Sequence, residues 1–102
     1  SIFDILATRH FLDRLLEEKE IRKHDAFVAI VAMRVDVRTR AAGELERFLE
    51  STGLPVVAHL RDTQNYVQAA AHGMSIFELP PSRAEKDLEQ WQPLLEWVQR
   101  PV

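Results

Sequence analysis

The chain has 102 residues, no cysteine, three glycines and five prolines, and is 46% hydrophobic and 28% charged. One small domain is the ceiling at that length, and its core has neither disulfides nor thiolate metal sites as staples. With 13 basic against 16 acidic residues the net charge is −3, so no global positive field argues for nucleic acid, and any such binding rests on a local cluster.

The chain opens at Ser1 without methionine, which reads as a cut or processed product. From Phe3 to Lys23, the apolar residues Ile5, Leu6, Phe11, Leu12, Leu15 and Leu16 recur at helical spacing between charged residues, predicting an amphipathic helix. Ser1 and Asp4 have capping-box spacing at its start, and Lys19, Arg22 and Lys23 suit the negative end of its dipole. The run Ala26 to Met33 shows no alternation and predicts a strand covered on both faces. Its eight residues fall far short of the roughly 20 that span a bilayer, and no signal-peptide pattern opens the chain, so a soluble cytoplasmic protein is expected.

Thr39 is placed to cap a second helix with the stripe Ala42, Leu45, Phe48 and Leu49, stopped by Gly53, Leu54 and Pro55. A second strand follows from Val56 to Leu60, giving a strand–helix–strand unit of the parallel crossover kind. Asp62 or Thr63 starts a third helix ending at Gly73, and Ile76 and Phe77 precede the breaker Pro80-Pro81. Ser82 and Glu85 form a capping-box pair before a last helix carrying Leu88, Trp91, Leu95 and Val98, with Pro93 expected to kink it. The order α-β-α-β-α-loop-α makes the fold class α/β in a single segment, residues 1–102. Two strands make a poor sheet alone, so they are expected to belong to a larger parallel one.

Ligands of open parallel sheets bind beyond the carboxyl ends of the strands. Those ends run into residues 33–40 and 59–65, so Arg34, Arg38, Arg40 and Arg61 are expected near two helix N-termini, as a site for phosphate, nucleotide or nucleic-acid backbone. The alternative is that these arginines pair with Asp36, Asp62 and nearby glutamates on a solvated edge. Gly43, Gly53 and Gly73 stand alone, which excludes a phosphate loop within this chain, and Gly43 suggests close packing in a helix. His10, His24, His59 and His72 lack metal-ligand spacing, and no serine lies in a nucleophile elbow. Trp91 and Trp97 on the last helix read either as a partner-binding stripe or, for Trp91, as cover for the core.

In serial order these segments resemble a known family. Ser1-Ile2-Phe3-Asp4-Ile5 looks like the Pro-Ser-x-Phe-Asp segment of ParA/MinD-type ATPases, and Arg34-Val35-Asp36-Val37-Arg38-Thr39 resembles their Arg-x-x-x-Arg-Thr loop. The Leu54-Pro55-Val56-Val57 strand opening is similar as well. So are Arg61 to Tyr66, Ala69 to Gly73 and Ser75-Ile76-Phe77-Glu78, which match the family's late helix and the turn after it.

The resemblance implies the C-terminal portion of a P-loop NTPase-like parallel sheet with flanking helices. It implies a parent that binds ATP and Mg²⁺, hydrolyses ATP, forms a homodimer and positions DNA or a protein cargo, with a partition adaptor as a further partner. Family catalytic and metal residues lie outside this chain, which contributes the adenine-side and DNA-facing loops. Met33-Arg34 stands where the family often has Asn-Arg, and Leu60-Arg61-Asp62 at the adenine loop, making these five the nucleotide-contacting candidates. Arg38, Arg40 and Arg61 are the DNA-binding candidates, with Gln64 at a position the family often makes basic. A membrane role is not expected, since residues 99–102 lack a basic amphipathic helix. The alternative function is a non-catalytic interaction module that docks a partner through its last helix.

Overall fold

A computed structural model describes residues 2–19, 21, 27–36 and 38–101. Its elements are α1 (Ile2–Glu17), β1 (Ile30–Val35), α2 (Arg40–Ser51), β2 (Val56–Arg61), α3 (Gln64–Ala71), a 3₁₀ turn (Ile76–Glu78) and α4 (Pro81–Gln99). The architecture is therefore α/β, with four helices and a two-stranded parallel sheet among the described residues. No helix among them is long and apolar enough to cross a membrane. The expected capping box at Ser1 and the cations Arg22 and Lys23 lie outside the described residues, as does the strand start at Ala26.

The helix ends follow local chemistry. Thr39 caps α2, its hydroxyl accepting from the Ala42 N–H at 3.1 Å, and Thr63 caps α3 by accepting from the Asn65 N–H at 3.3 Å. After α3 the chain makes a full Schellman turn: the Gly73 N–H donates to the Ala70 carbonyl at 3.0 Å and the Met74 N–H to the Ala69 carbonyl at 2.8 Å. Gly73 takes φ +66° there, which side chains resist. After α2 the same device is built with a hydroxyl. Thr52 Oγ1 donates to the Leu49 carbonyl at 2.7 Å and accepts from the Leu54 N–H at 3.2 Å, while Gly53 adopts φ +74°.

One expectation needs correction at a helix start. α4 begins at Pro81, one residue before the proposed cap Ser82, because proline's fixed φ and missing N–H suit the first helical position. The carboxylate that does reach back to cap a turn is Glu78, accepting from the Ser75 N–H at 2.9 Å. α4 then runs unbroken through Pro93 to Gln99, and Arg100 closes it by donating to the Trp97 carbonyl at 2.7 Å.

The strand expected over 26–33 lies at Ile30–Val35. Its ladder begins where its partner does, with Ile30 opposite Val56, and Pro55 immediately before Val56 has no N–H to extend it. Nor are both faces covered. In β2 Ala58 and Leu60 are buried on one side, whereas His59 on the other is exposed, and Met33 of β1 is 67% exposed.

The chain divides into two compact units, one holding α1 and α2 and the other β1, β2, α3, the 3₁₀ turn and α4. In the first, the Arg9 guanidinium lies 5.2 Å from the Phe48 ring centroid and donates to Ser51 Oγ at 2.7 Å. In the second, α4 packs on β2 and on the 3₁₀ turn. Its apolar cluster is Ala69, Ile76, Leu79 and Ala84, with Tyr66, Met74, Leu88 and Trp91 packed around it.

Gly43 does not owe its place to close packing: a Cβ there would meet Arg47 Nη1 at 3.8 Å, an ordinary contact. Gly43→Ala is expected to raise stability by about 0.5–1 kcal/mol through helix propensity. Gly73→Ala, at a left-handed position, is expected to cost about 1 kcal/mol. Urea unfolding of the two variants checks both signs.

Candidate functional site at the carboxyl edge of the sheet

β1 and β2 are parallel, so their last residues reach the same edge: Val35 pairs with Arg61, and the Asp62 N–H donates to the Val35 carbonyl at 3.2 Å. Between Ala32 and Val35 the strand β1 advances three residues while β2 advances two, from His59 to Arg61. The extra residue makes a bulge, and Arg34 within it has φ +57°. A side chain in that left-handed region costs about 1 kcal/mol, and such strain clusters at functional sites. Arg34 Nε lies 3.9 Å from Asp62 Oδ1, with side chains 83% and 57% exposed, a contact too solvated to hold much energy.

Arg61 is differently placed. Its Nε donates to Asp87 Oδ1 at 2.6 Å and its Nη2 to Asp87 Oδ2 at 3.1 Å, a bidentate pair on a carboxylate with no exposed surface. Asn65 Nδ2 donates to the same Oδ2 at 2.9 Å and to the Arg83 carbonyl at 3.2 Å. The Arg61 backbone N–H donates to Gln90 Oε1 at 2.9 Å. One buried carboxylate thus ties the end of β2, the first turn of α3 and the middle of α4. The hydrogen bond from Arg61 holds the Asp87 carboxyl below its ordinary range against the opposing effect of burial, and the Asn65 amide adds to the lowering. The same bond raises Arg61.

The nucleotide-side candidates therefore divide. Met33, Arg34 and Asp62 are exposed at the edge. Leu60 is 3% exposed and packs inward, and Arg61 is committed to Asp87. Arg34 lies beside Asp62 on the exposed edge, while the partner of Arg61 lies on α4. Of the DNA-side candidates, Arg38 and Arg40 flank Thr39 at the start of α2, in the first unit. Trp91 is core: its Nε1–H donates to Tyr66 Oη at 3.1 Å, and its ring meets Phe77 edge-on at 5.5 Å. Trp97 carries the Arg100 guanidinium 4.1 Å from its centroid. Among the described residues no three His, Asp or Glu side chains gather as a metal site.

Sequence reasoning missed Asp87, Asn65 and Gln90. The signal was present for Asp87: Ala84, Asp87, Leu88 and Trp91 stand at i, i+3, i+4 and i+7, one apolar stripe with a carboxylate in it. Comparison of the chain with protein-family models, with curated proteins and with solved structures gives no match.

Asp87→Ala removes the buried partner of Arg61, whose side chain is 32% exposed, and is expected to cost about 3 kcal/mol, at the low end for a buried pair because of that exposure. Arg61→Met with Asp87→Leu, which removes both charges, is expected to cost less. Since the folded-state pKa of Asp87 is depressed, the pair's stabilisation is fully present above the unfolded value of about 4 and is lost as pH falls below it. Urea unfolding against pH should show that acid loss in the parent chain and a flatter profile in the double variant.

Proposed function

We propose that this chain is the C-terminal portion of a ParA/MinD-like ATPase, and that the edge bearing Arg34 and Asp62 meets a nucleotide on its adenine side or the phosphate backbone of DNA. The observation that carries this reading is the parallel alignment of β1 and β2, which brings the Arg34 bulge and the loop after Arg61 to one carboxyl edge, where ligands of such sheets bind. Arg38 and Arg40 support the DNA side through the resemblance of their loop, whose Thr39 caps α2.

The residues present do not suit the β- and γ-phosphates or Mg²⁺. Glycines are isolated in the sequence, and no carboxylate cluster occurs among the described residues. Hydrolysis, homodimerisation and the positioning of DNA or cargo accordingly belong to the intact parent.

Two measurements test the proposal. ATP turnover by the 102-residue chain is expected to stay at the uncatalysed level, while a chain extended upstream hydrolyses ATP; turnover by the short chain overturns the division of labour. Binding to generic duplex is expected to be weak and salt-dependent, and Arg38→Ala to make the plot of log affinity against log salt shallower by about 0.9. An unchanged slope removes Arg38 from the DNA surface.

A further inference from the structure

We propose that Asp87 is a positioning residue: by holding Arg61 in the fold, it leaves Arg34 as the guanidinium that the sheet edge of the second unit presents to a phosphate polyanion. This rests on the reading above that the edge meets phosphate.

Arg34 and Arg61 are close neighbours across the ladder, at the ends of β1 and β2, and composition gives no reason for them to act differently. Their surroundings do. Arg34 keeps 83% of its side chain in solvent and, among the described residues, has one long contact with an exposed carboxylate. Exchanging that contact for a phosphate costs little, because both partners stay hydrated. Arg61 makes two charge-assisted bonds to a carboxylate without exposed surface, 2.6 and 3.1 Å long. Turning it toward a ligand would leave the Asp87 charge buried with only the Asn65 amide, a state strongly disfavoured. Asn65 and Gln90 hold the same stretch of chain, so the loop after Arg61 keeps its geometry whether or not the edge is occupied.

The pair also sets how many phosphates the edge can take. Two free guanidiniums would grip two neighbouring phosphates, whereas one fixed and one free give a single contact beside Asp62.

Arginine-selective modification with phenylglyoxal, mapped by mass spectrometry on the full chain, tests the withdrawal without any ligand. Arg34 is expected to be labelled and Arg61 protected, and Asp87→Leu to abolish the protection. Equal labelling of both arginines in the parent chain overturns the positioning role.

Titration of a generic DNA duplex over a range of salt tests the ligand side. Arg34→Gln is expected to make the log–log salt slope shallower by about 0.9, and Asp87→Leu to make it steeper by about 0.9 as Arg61 becomes free. The double variant Arg61→Met with Asp87→Leu, which keeps the parent's net charge, is expected to return to the parent slope. A shallower slope in that double variant would mean that Arg61 already contacts phosphate, and overturns the proposal even if Asp87→Leu alone fails to fold. Protection of Arg61 combined with no salt-dependent binding by the parent chain overturns the polyanion reading and the assignment of Arg34 with it, while the positioning of Arg61 stands.

Discussion

A carboxylate with no exposed surface is the constraint on which the second unit depends. Asp87 cannot stay charged in an apolar setting unless its oxygens are filled, and the groups that fill them come from two different elements. Arg61 ends β2 and Asn65 opens α3, so satisfying one side chain on α4 aligns a strand end and a helix start at once. A hydrophobic residue at that position could pack as well, but it would have no directional demand on its neighbours. The two parallel strands need that demand, since a pair of strands has little intrinsic stability. Gln90, one turn further along α4, takes the backbone N–H of Arg61 and completes the attachment.

Around this attachment the packing alternates small and larger side chains, Ala69 and Ala84 beside Ile76 and Leu79. Ala69 and Ala84 are among the most buried residues, and they let α3, the 3₁₀ turn and α4 approach closely. Larger groups enclose them, with Trp91 serving both as apolar cover and as a hydrogen-bond donor to Tyr66. The Schellman turn at Gly73 redirects the chain toward Met74 and Ile76, which join that same cluster.

The carboxyl edge of the sheet combines order and strain. Beside the rigid Arg61 attachment, β1 accepts an extra residue and a left-handed arginine. Nothing in the local sequence relieves that conformation, since glycine would adopt it at lower cost. An exposed guanidinium is therefore held where a more stable residue could stand, and that cost carries functional weight in the proposed reading.

Much of the secondary structure was legible in the sequence because its causes are local. Thr39, Thr63, Gly53 and Gly73 mark helix ends through hydroxyl caps and positive φ, properties of single residues that need no distant partner. Apolar spacing likewise located α2, α3 and the later part of α4. The limits of β1 were not legible, because a ladder extends only as far as its partner, and that partner is set by Pro55 and Val56, some way along the chain. The roles of Arg34 and Arg61 could not be separated from sequence for a related reason. Four arginines near strand ends look alike as charges, and what distinguishes Arg61 is a carboxylate 26 residues away. By itself the sequence determined the α/β order and the punctuation of α2 and α3. Only the tertiary structure decided which arginine is bound into the fold and which faces solvent, because burial of Asp87 exists only when α4 lies against β2.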